Sequence, residues 1–175
     1  QLGLRTYHKK SDLIIGGGLD DVWHDPNTNE LFIVDYKSTA GKRTKDLSKL
    51  EPISLEGRWK GSYKRQMDIY QWILREITKE ELQDYQVSNI GYFVYVNGDQ
   101  YFEDGMLRDN ENKADMSFEV QLLSYEGSDD WVEAKIMELK SCLQQTTCPE
   151  HVQTGNGPKG DEPCEYFTFL KSLNF

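Results

Sequence analysis

The stretch DLIIGGGLDDVWHDPNTNELFIVDYK, residues 12–37, decides the fold. It contains two β-type runs, 12–23 and 31–37, separated by a short cluster of turn-forming residues, DPNTNE. Strand-forming runs on both sides of such a cluster are typical of a β-hairpin. We therefore predict two paired antiparallel strands, which would bring Asp20 on the first strand beside Asp35 on the second.

Helical patterns follow this hairpin. Residues 38–60 are rich in Lys, Ser, Thr and Gly and are predicted as a long loop, with a short helical piece near 46–50. From Ser62 to Ile77 apolar residues recur at spacings of three and four, which predicts a helix with one buried stripe. Residues 78–85 open on a capping-box pattern and are predicted as a second short helix.

The remaining elements complete an α/β pattern. Runs 87–97 and 117–125 are strand-like, and a last helix is predicted from Ser128. The order of strands and helices implies a central mixed β-sheet flanked by helices. We expect one domain over 1–175, with an irregular tail at 148–175. The buried face of the last helix is predicted to contain Val132, Ile136, Leu139 and Leu143.

Bulk composition excludes several classes of protein. A hydrophobic share of 37% is too high for a disordered chain. No apolar run approaches the roughly 20 residues that a membrane-spanning helix needs. Three cysteines with irregular spacing do not form a disulfide framework, which favours a reducing, intracellular compartment. We therefore expect a cytoplasmic protein that does not insert into a membrane.

Charge is unevenly distributed along the chain. The formal net charge of −10 opposes binding to a polyanion, because phosphate binding draws on clustered Lys and Arg. From Lys37 to Arg65, however, there are nine basic side chains and three acidic ones. This segment is either a solvated loop or a guide for a nucleic-acid strand. The candidates for phosphate contact are Lys42, Arg43, Lys45, Arg58, Lys60, Lys64 and Arg65.

Asp35-Tyr36-Lys37 is the first of four Asp-x-Lys or Glu-x-Lys patterns in the chain. It differs from the others because it directly follows the apolar run LFIV. Side chains alternate across a strand, so Asp35 and Lys37 point to the same face. Residues two apart on a helix do not face each other. We therefore predict that this pattern alone carries chemistry.

Neighbouring carboxylates at Asp20 and Asp35 need a compensating charge, because burying two acids side by side is unfavourable. Mg²⁺ takes oxygen ligands and commonly uses one or two carboxylates. Asp20 and Asp35 are therefore candidate metal ligands, with the backbone carbonyl of Tyr36 as a third. Lys37 would orient a water or stabilise developing negative charge. Asp21 stays an alternative to Asp20, because a one-residue shift of register would exchange their faces.

Gln66 and Tyr70 are four residues apart on the predicted helix and therefore project from one face. Their amide and phenol groups could reach a carboxylate, a catalytic lysine or a phosphate. A tyrosine at helical spacing is more often part of a buried helix face than of a catalytic site. Spacing alone leaves both interpretations open.

Taken in order, Gly17-x-x-Asp20, Val34-Asp35-Tyr36-Lys37 and Gln66-x-x-x-Tyr70 resemble the motifs of RecB-type nucleases in the PD-(D/E)XK superfamily. CRISPR-adaptation exonucleases belong to the same group. The resemblance implies a restriction-endonuclease-like core and dependence on Mg²⁺ or Mn²⁺, and it favours DNA over RNA as substrate. It also implies metal ligation by Asp20 and Asp35, a catalytic Lys37, and supporting roles for Gln66 and Tyr70.

Two features depart from the family pattern. Relatives often carry a His or Glu on an upstream helix, and His8 is the only candidate here, so we expect the N-terminal helical part to be missing from these residues. Many relatives hold an iron–sulfur cluster on four cysteines, whereas this chain has three, and Phe167 stands where a Cys-x-x-Cys pair starting at Cys164 would place its second cysteine. The sequence therefore predicts no iron–sulfur cluster.

These features predict a metal-dependent deoxyribonuclease. Family analogy extends this to an exonuclease in DNA recombination, repair or phage replication, with a helicase or recombination protein as partner. The alternative is a catalytically inactive module of the same fold that binds nucleic acid or protein. A Mg²⁺ enzyme for small phosphorylated substrates is weakened by the absence of a G-x-x-x-x-G-K-S/T loop.

Overall fold

The computed structural model of the protein describes residues 2–41, 43–44, 50–57, 60–99, 117–147, 169 and 172. The chain divides into two compact units, Gln1–Lys140 and Ser141–Phe175. Within the described residues, no helix combines the length and hydropathy needed to span a membrane. The elements, in chain order, are β1 (Leu2–His8), β2 (Leu13–Leu19), β3 (Asp21–Asp25), β4 (Glu30–Gly41), α1 (Lys60–Glu81), β5 (Gln86–Val87), β6 (Ile90–Asp99), β7 (Ser117–Glu126) and α2 (Val132–Leu143).

A mixed sheet forms the centre of the first unit. Its strands lie in the order β3-β4-β6-β7, and the short β5 pairs with β4. β4 and β6 are parallel, whereas β3–β4 and β6–β7 are antiparallel. Two parallel neighbours need a long crossover connection, and α1 lies in the connection between β4 and β6. The predicted α/β class with a mixed central sheet is confirmed.

The predicted hairpin is present as β3 and β4, but its first strand is shorter than expected. In the turn, Asn29 has a φ of 55°, a left-handed conformation that Asn tolerates. Residues 12–23 do not form one strand, because β2 ends at Leu19 and pairs with β1 in a separate two-stranded sheet. Asp20 therefore lies in a bend between two sheets. Local strand propensity does not indicate which strand each half of residues 12–23 pairs with. The sequence therefore did not predict that the two halves form separate strands in different sheets.

Helix α1 runs from Lys60 to Glu81 without interruption. The predicted second helix at 78–85 is wrong, because Thr78 is buried inside α1 and its hydroxyl donates to the carbonyl of Arg75. A threonine hydroxyl can bond to a carbonyl three residues earlier within a continuous helix. The capping-box residues therefore do not begin a new helix here.

Two sides of α1 are buried, and each side packs into a separate hydrophobic cluster. On one side Trp72 and Ile73 pack with Val132 and Ile136 of α2. Full burial of one aliphatic side chain contributes roughly 1.5–3 kcal/mol to the free energy of unfolding. Because its two buried sides pack in different clusters, helix α1 joins the sheet to α2. On its sheet side, the cluster consists of Leu19, Leu31, Ile33, Met67, Leu74, Phe93 and Tyr95.

Helix α2 begins at Val132 and not at the predicted Ser128, whose hydroxyl instead donates to a neighbouring carboxylate. Its buried face is also shorter than predicted. Val132 and Ile136 are buried, whereas Leu139 and Leu143 are 50% and 63% exposed.

Strand β4 continues to Gly41, so the predicted loop at 38–60 begins later than expected. The backbone N–H of Gly41 donates to the Oδ1 of buried Asn97 at 2.7 Å. Arg43 forms a largely buried ion pair with Asp99 at 2.5 Å. These contacts attach the chain beyond β4 to the end of β6. Apart from its last residue, the helical piece predicted near 46–50 lies outside the described residues.

We expect Leu74→Ala to lower the free energy of unfolding by about 2–5 kcal/mol, because it opens a cavity in the cluster that joins α1 to the sheet. Leu82, just beyond α1, is 41% exposed, and Leu82→Ala should cost about 0.5 kcal/mol or less. Urea unfolding followed by circular dichroism measures both changes. Equal losses in the two variants would contradict this description of the core.

Candidate active site

Strand β4 divides its side chains between the two faces of the sheet. Asp35 and Lys37 point to the face that α1 covers, whereas Tyr36 points to the opposite face and is 48% exposed. Asp35 is only 4% exposed, although it carries a carboxyl group. The ammonium Nζ of Lys37 lies 2.5 Å from Oδ2 of Asp35. Strand alternation thus brings the acid and the lysine into contact, as the sequence predicts.

Asp20 occupies the bend between β2 and β3. Extending the register Asp21↔Val34 by one residue places Asp20 opposite Asp35. Strand β3 does not reach Tyr36, and the Oδ2 of Asp20 accepts a hydrogen bond from the Tyr36 backbone N–H at 3.0 Å. A side chain therefore takes the place of the missing strand partner, and this bond holds Asp20 beside Asp35.

The carboxylate of Asp21 is bonded elsewhere. Its Oδ1 accepts a hydrogen bond from the Val22 N–H at 2.8 Å. Its Oδ2 accepts bonds from the Tyr36 hydroxyl at 3.0 Å and from the Trp23 indole N–H at 3.3 Å. Tyr36 and Trp23 are exposed. In this register Asp20 is the acid that acts on the Asp35 carboxyl.

Burial raises the pKa of the Asp35 carboxyl above its ordinary value. The Lys37 ammonium lowers this pKa, and the nearby Asp20 raises it again through its charge and hydrogen bonding. The contact between Lys37 and Asp35 Oδ2 is an ion pair only, because among the described residues no donor meets this oxygen at hydrogen-bonding angles. The single Lys37 ammonium therefore compensates incompletely for the burial of Asp35 beside a second, partly exposed acid, Asp20.

Gln66 and Tyr70 of α1 continue this set of contacts. Gln66 Oε1 accepts a hydrogen bond from Lys37 Nζ at 3.2 Å, and Gln66 Nε2 donates to the Tyr70 hydroxyl at 2.9 Å. A lysine ammonium can only donate hydrogen bonds, so the Gln66 amide must present its oxygen and not its nitrogen to Lys37. We call Asp20, Asp35, Lys37, Gln66 and Tyr70 the acid–lysine cluster. The structure brings all five of these predicted residues together.

Gly17 lies directly against the ring of Tyr70. A Cβ atom at this position would lie 2.5 Å from Cε1 and 3.0 Å from Cδ1 of that ring. Only glycine leaves room for the ring at this distance. The motifs Gly17-x-x-Asp20 and Gln66-x-x-x-Tyr70, which are far apart in the sequence, therefore meet in space.

Two tyrosines that were not predicted as site residues, Tyr63 and Tyr95, also lie beside Lys37. Lys37 Nζ is 4.8 Å from the centroid of the Tyr63 ring, and Tyr95 is its register partner on β6. The pKa of Tyr95 is raised, mainly by burial. Tyr63 precedes Gln66 by three residues on the same helix face, and this spacing could have identified it. No local pattern reveals the parallel register that selects Tyr95.

Two of the described basic residues predicted to contact phosphate have carboxylate partners. Arg43 pairs with Asp99 at 2.5 Å, and Lys64 pairs with Glu56 at 3.1 Å. Arg65 is exposed. Three of the predicted residues lie outside the described part of the chain, namely Lys42, Lys45 and Arg58.

His8 lies at the end of the β1–β2 hairpin that is remote from Asp20, because it pairs with Leu13 at the start of β2. Its Nδ1 is 2.7 Å from Ser11 Oγ, and its ring packs edge-on against Trp72. These contacts give His8 a structural role away from the acid–lysine cluster. Cys142 is an exposed free thiol, and the other two cysteines lie outside the described residues.

The donors available to a divalent cation are the carboxylates of Asp20 and Asp35 and the carbonyl of Tyr36. The N–H and C=O of one strand residue point to the same side, and the Tyr36 N–H points to Asp20. The described residues contain no group of three His, Cys, Asp or Glu side chains suited to a metal. Two carboxylates, one with a buried oxygen that lacks a hydrogen-bond donor, fit Mg²⁺ or Mn²⁺, since Mg²⁺ usually keeps several waters.

A groove of about 490 Å³ lies elsewhere, between residues 53–56 and strand β7. Its lining includes Lys64 and Glu126 but no member of the acid–lysine cluster. Concavity alone does not supply reactive groups, so we place the candidate chemistry at Asp35 and Lys37.

No family model, curated protein or solved structure matches the chain. The resemblance to PD-(D/E)XK nucleases therefore rests on three short motifs. Their contacts in space are an observation independent of that resemblance.

Gly17→Ala should lower the free energy of unfolding by about 1–3 kcal/mol, because the new methyl group overlaps the Tyr70 ring. In a Tyr70→Ala background the space is open, and the same substitution should cost about 0.5 kcal/mol or less. Urea unfolding of the four proteins of this cycle gives the interaction energy between the two positions. Strictly additive losses would show that the ring does not depend on Gly17.

Proposed function

We propose that this protein is a metal-dependent deoxyribonuclease of the PD-(D/E)XK type that hydrolyses phosphodiester bonds in DNA. The convergence of the acid–lysine cluster supports the proposal. Its members come from three separate stretches of the sequence and form consecutive contacts from Asp20 to Tyr70. Motifs that matched a family by accident would have no reason to touch one another.

Asp20, Asp35 and the Tyr36 carbonyl would hold Mg²⁺ or Mn²⁺. Such an ion, when bound, lowers the pKa of a coordinated water and neutralises charge on the phosphate in the transition state. Burial raises the pKa of the Asp35 carboxyl, and the neighbouring Asp20 raises it further. A cation bound between the two acids would favour the ionised form of Asp35 that ligates a metal.

Lys37 is the group that this chain offers to the reacting phosphate. Its ammonium is held between Asp35 and Gln66, and it retains hydrogen-bonding capacity for a phosphate oxygen or the attacking water. Gln66 and Tyr70 act as positioning residues, since they fix the direction in which Nζ points. A donor held in place before the reaction stabilises developing charge without reorganisation.

The arrangement of β3, β4, α1 and β6 is compatible with a restriction-endonuclease-like core. An antiparallel pair brings the two acids together, and a helix and a parallel strand follow. The choice of DNA, exonucleolytic cleavage, and a role in recombination, repair or phage replication come from the motif resemblance. A helicase or recombination protein as partner rests on the same analogy.

A second candidate is a catalytically inactive module of the same fold that binds nucleic acid or protein. The net charge of −10 and the carboxylate partners of Arg43 and Lys64 reduce the basic surface open to a polyanion, which favours the protein-binding form of this module. This candidate differs from the first in one testable respect. It predicts binding without metal-dependent turnover.

The test is an assay of linear and circular DNA with Mg²⁺, Mn²⁺ or EDTA. The wild-type protein should degrade linear DNA with either metal and not with EDTA, and circular DNA should persist. Lys37→Met removes the charge and should lower the rate at least about 100-fold. Lys135→Met on α2, an exposed lysine paired with Glu138, should match the wild type.

Cleavage that survives in Lys37→Met would contradict the role given to this lysine. Binding to DNA without cleavage by the wild type in either metal would favour the inactive module.

A further inference from the structure

Lys60, the first residue of α1, is held beside the acid–lysine cluster by two tyrosines. Its Nζ donates to the Tyr95 hydroxyl at 2.6 Å and lies 4.3 Å from the centroid of that ring. The same atom lies 5.3 Å from the centroid of the Tyr63 ring, and Lys37 Nζ lies 4.8 Å from it. Two ammonium groups, one from α1 and one from β4, therefore share the Tyr63 ring.

These two lysines differ in how their charge is compensated. Lys37 pairs with Asp35, whereas within the described part of the chain no carboxylate pairs with Lys60. A phenol hydroxyl and aromatic rings orient an ammonium without neutralising it. Two cations close together repel each other, and an anion bound beside them relieves that repulsion. Among the described residues, Lys60 is thus an oriented positive charge without an acidic partner.

The position of Lys60 relative to the strands indicates which anion it would meet. Its partner Tyr95 is the neighbour of Lys37 across the β4–β6 pair, so Lys60 is offset from Asp35 toward β6. Because adjacent strands are about 4.8 Å apart, Tyr95 on β6 lies one strand spacing from Lys37 on β4. A DNA strand carries one phosphate per nucleotide, so a phosphate bound at Lys37 brings another phosphate near it.

We propose that Lys60 binds a phosphate adjacent to the scissile one, and that Tyr95 and Tyr63 are positioning residues that hold its ammonium. The inference rests on the proposed function and adds a second phosphate-binding residue to its site. A polynucleotide strand engages both Lys37 and Lys60, whereas a lone phosphodiester engages only Lys37. Lys60 contributes to the binding of the strand and not to the chemical step.

The test compares Lys60→Met with Lys79→Met. Lys79 lies in the last turn of the same helix, is 68% exposed and pairs with Glu76, so the control removes the same charge at a remote position. One measurement is the dissociation constant for a short fluorescent single-stranded oligonucleotide in EDTA, over a series of salt concentrations. The other is KM and kcat for its cleavage with Mn²⁺. Thermal unfolding confirms that both variants fold.

Lys60→Met should bind the oligonucleotide about tenfold more weakly than Lys79→Met, which corresponds to one lost charge-assisted hydrogen bond. KM should rise by a similar factor while kcat stays within about twofold. The slope of log affinity against log salt should fall by about one, because one fewer phosphate is neutralised.

Tyr95→Phe removes only the hydroxyl that receives the Lys60 bond. It should weaken binding in the wild-type background and cause no further loss in Lys60→Met, because both substitutions act on the same contact. If Tyr95 had only a structural role, Tyr95→Phe would lower the free energy of unfolding and leave the slope of log affinity against log salt unchanged.

Equal affinity and equal salt dependence in Lys60→Met and Lys79→Met would overturn the phosphate site, even if the wild type cleaves DNA. A fall in kcat with KM unchanged would also overturn it, since Lys60 would then act on the reacting groups. A wild type that binds through Lys60 but does not cleave would refute the nuclease proposal and leave the phosphate site standing.

Discussion

The buried carboxylate of Asp35 is the constraint on which the rest of the site depends. It lies at 4% exposure next to a second acid, and its pKa is raised. An acid in such surroundings needs a partner, which Lys37 supplies from two residues further along the same strand. Lys37 in turn bonds to Gln66, and Gln66 is held by Tyr70. A single electrostatic requirement thus connects strand β4 to helix α1.

Helix α1 meets structural and functional demands with different faces. Its apolar sides pack against the sheet and α2, while Tyr63, Gln66 and Tyr70 contact Lys37 or its partners. Buried Asp68 adds a polar anchor, since it accepts hydrogen bonds from the Tyr125 hydroxyl and a tryptophan indole. The pKa of Tyr125 is raised to about 12, chiefly by burial, so this hydroxyl remains a donor. Close packing on both sides keeps the polar row of α1 in place.

Local patterns account for what the sequence predicted. The turn residues before Glu30 gave the hairpin, strand alternation gave the contact of Asp35 with Lys37, and helical spacing gave the Gln66–Tyr70 row. Features set by distant partners were missed. The chain divides at Asp20 because its two halves pair in different sheets. Arg43 and Asp99 are 56 residues apart, and Tyr95 is selected by the parallel register of β4 and β6. Neither the Arg43–Asp99 pair nor the β4–β6 register can be recognised from a local sequence pattern.

Calorimetric titration of Mn²⁺ tests most directly whether Asp20, in the bend before β3, and Asp35, on β4, share one cation. The Asp20→Asn and Asp35→Asn variants keep the size of each side chain and remove its charge. Asp21→Asn is the matched control, because this adjacent carboxylate bonds to Trp23 and Tyr36 instead. We expect one ion per wild-type chain, loss of binding in both ligand variants, and binding close to wild type in the control. No binding by the wild type, or loss of binding only in Asp21→Asn, would contradict the account.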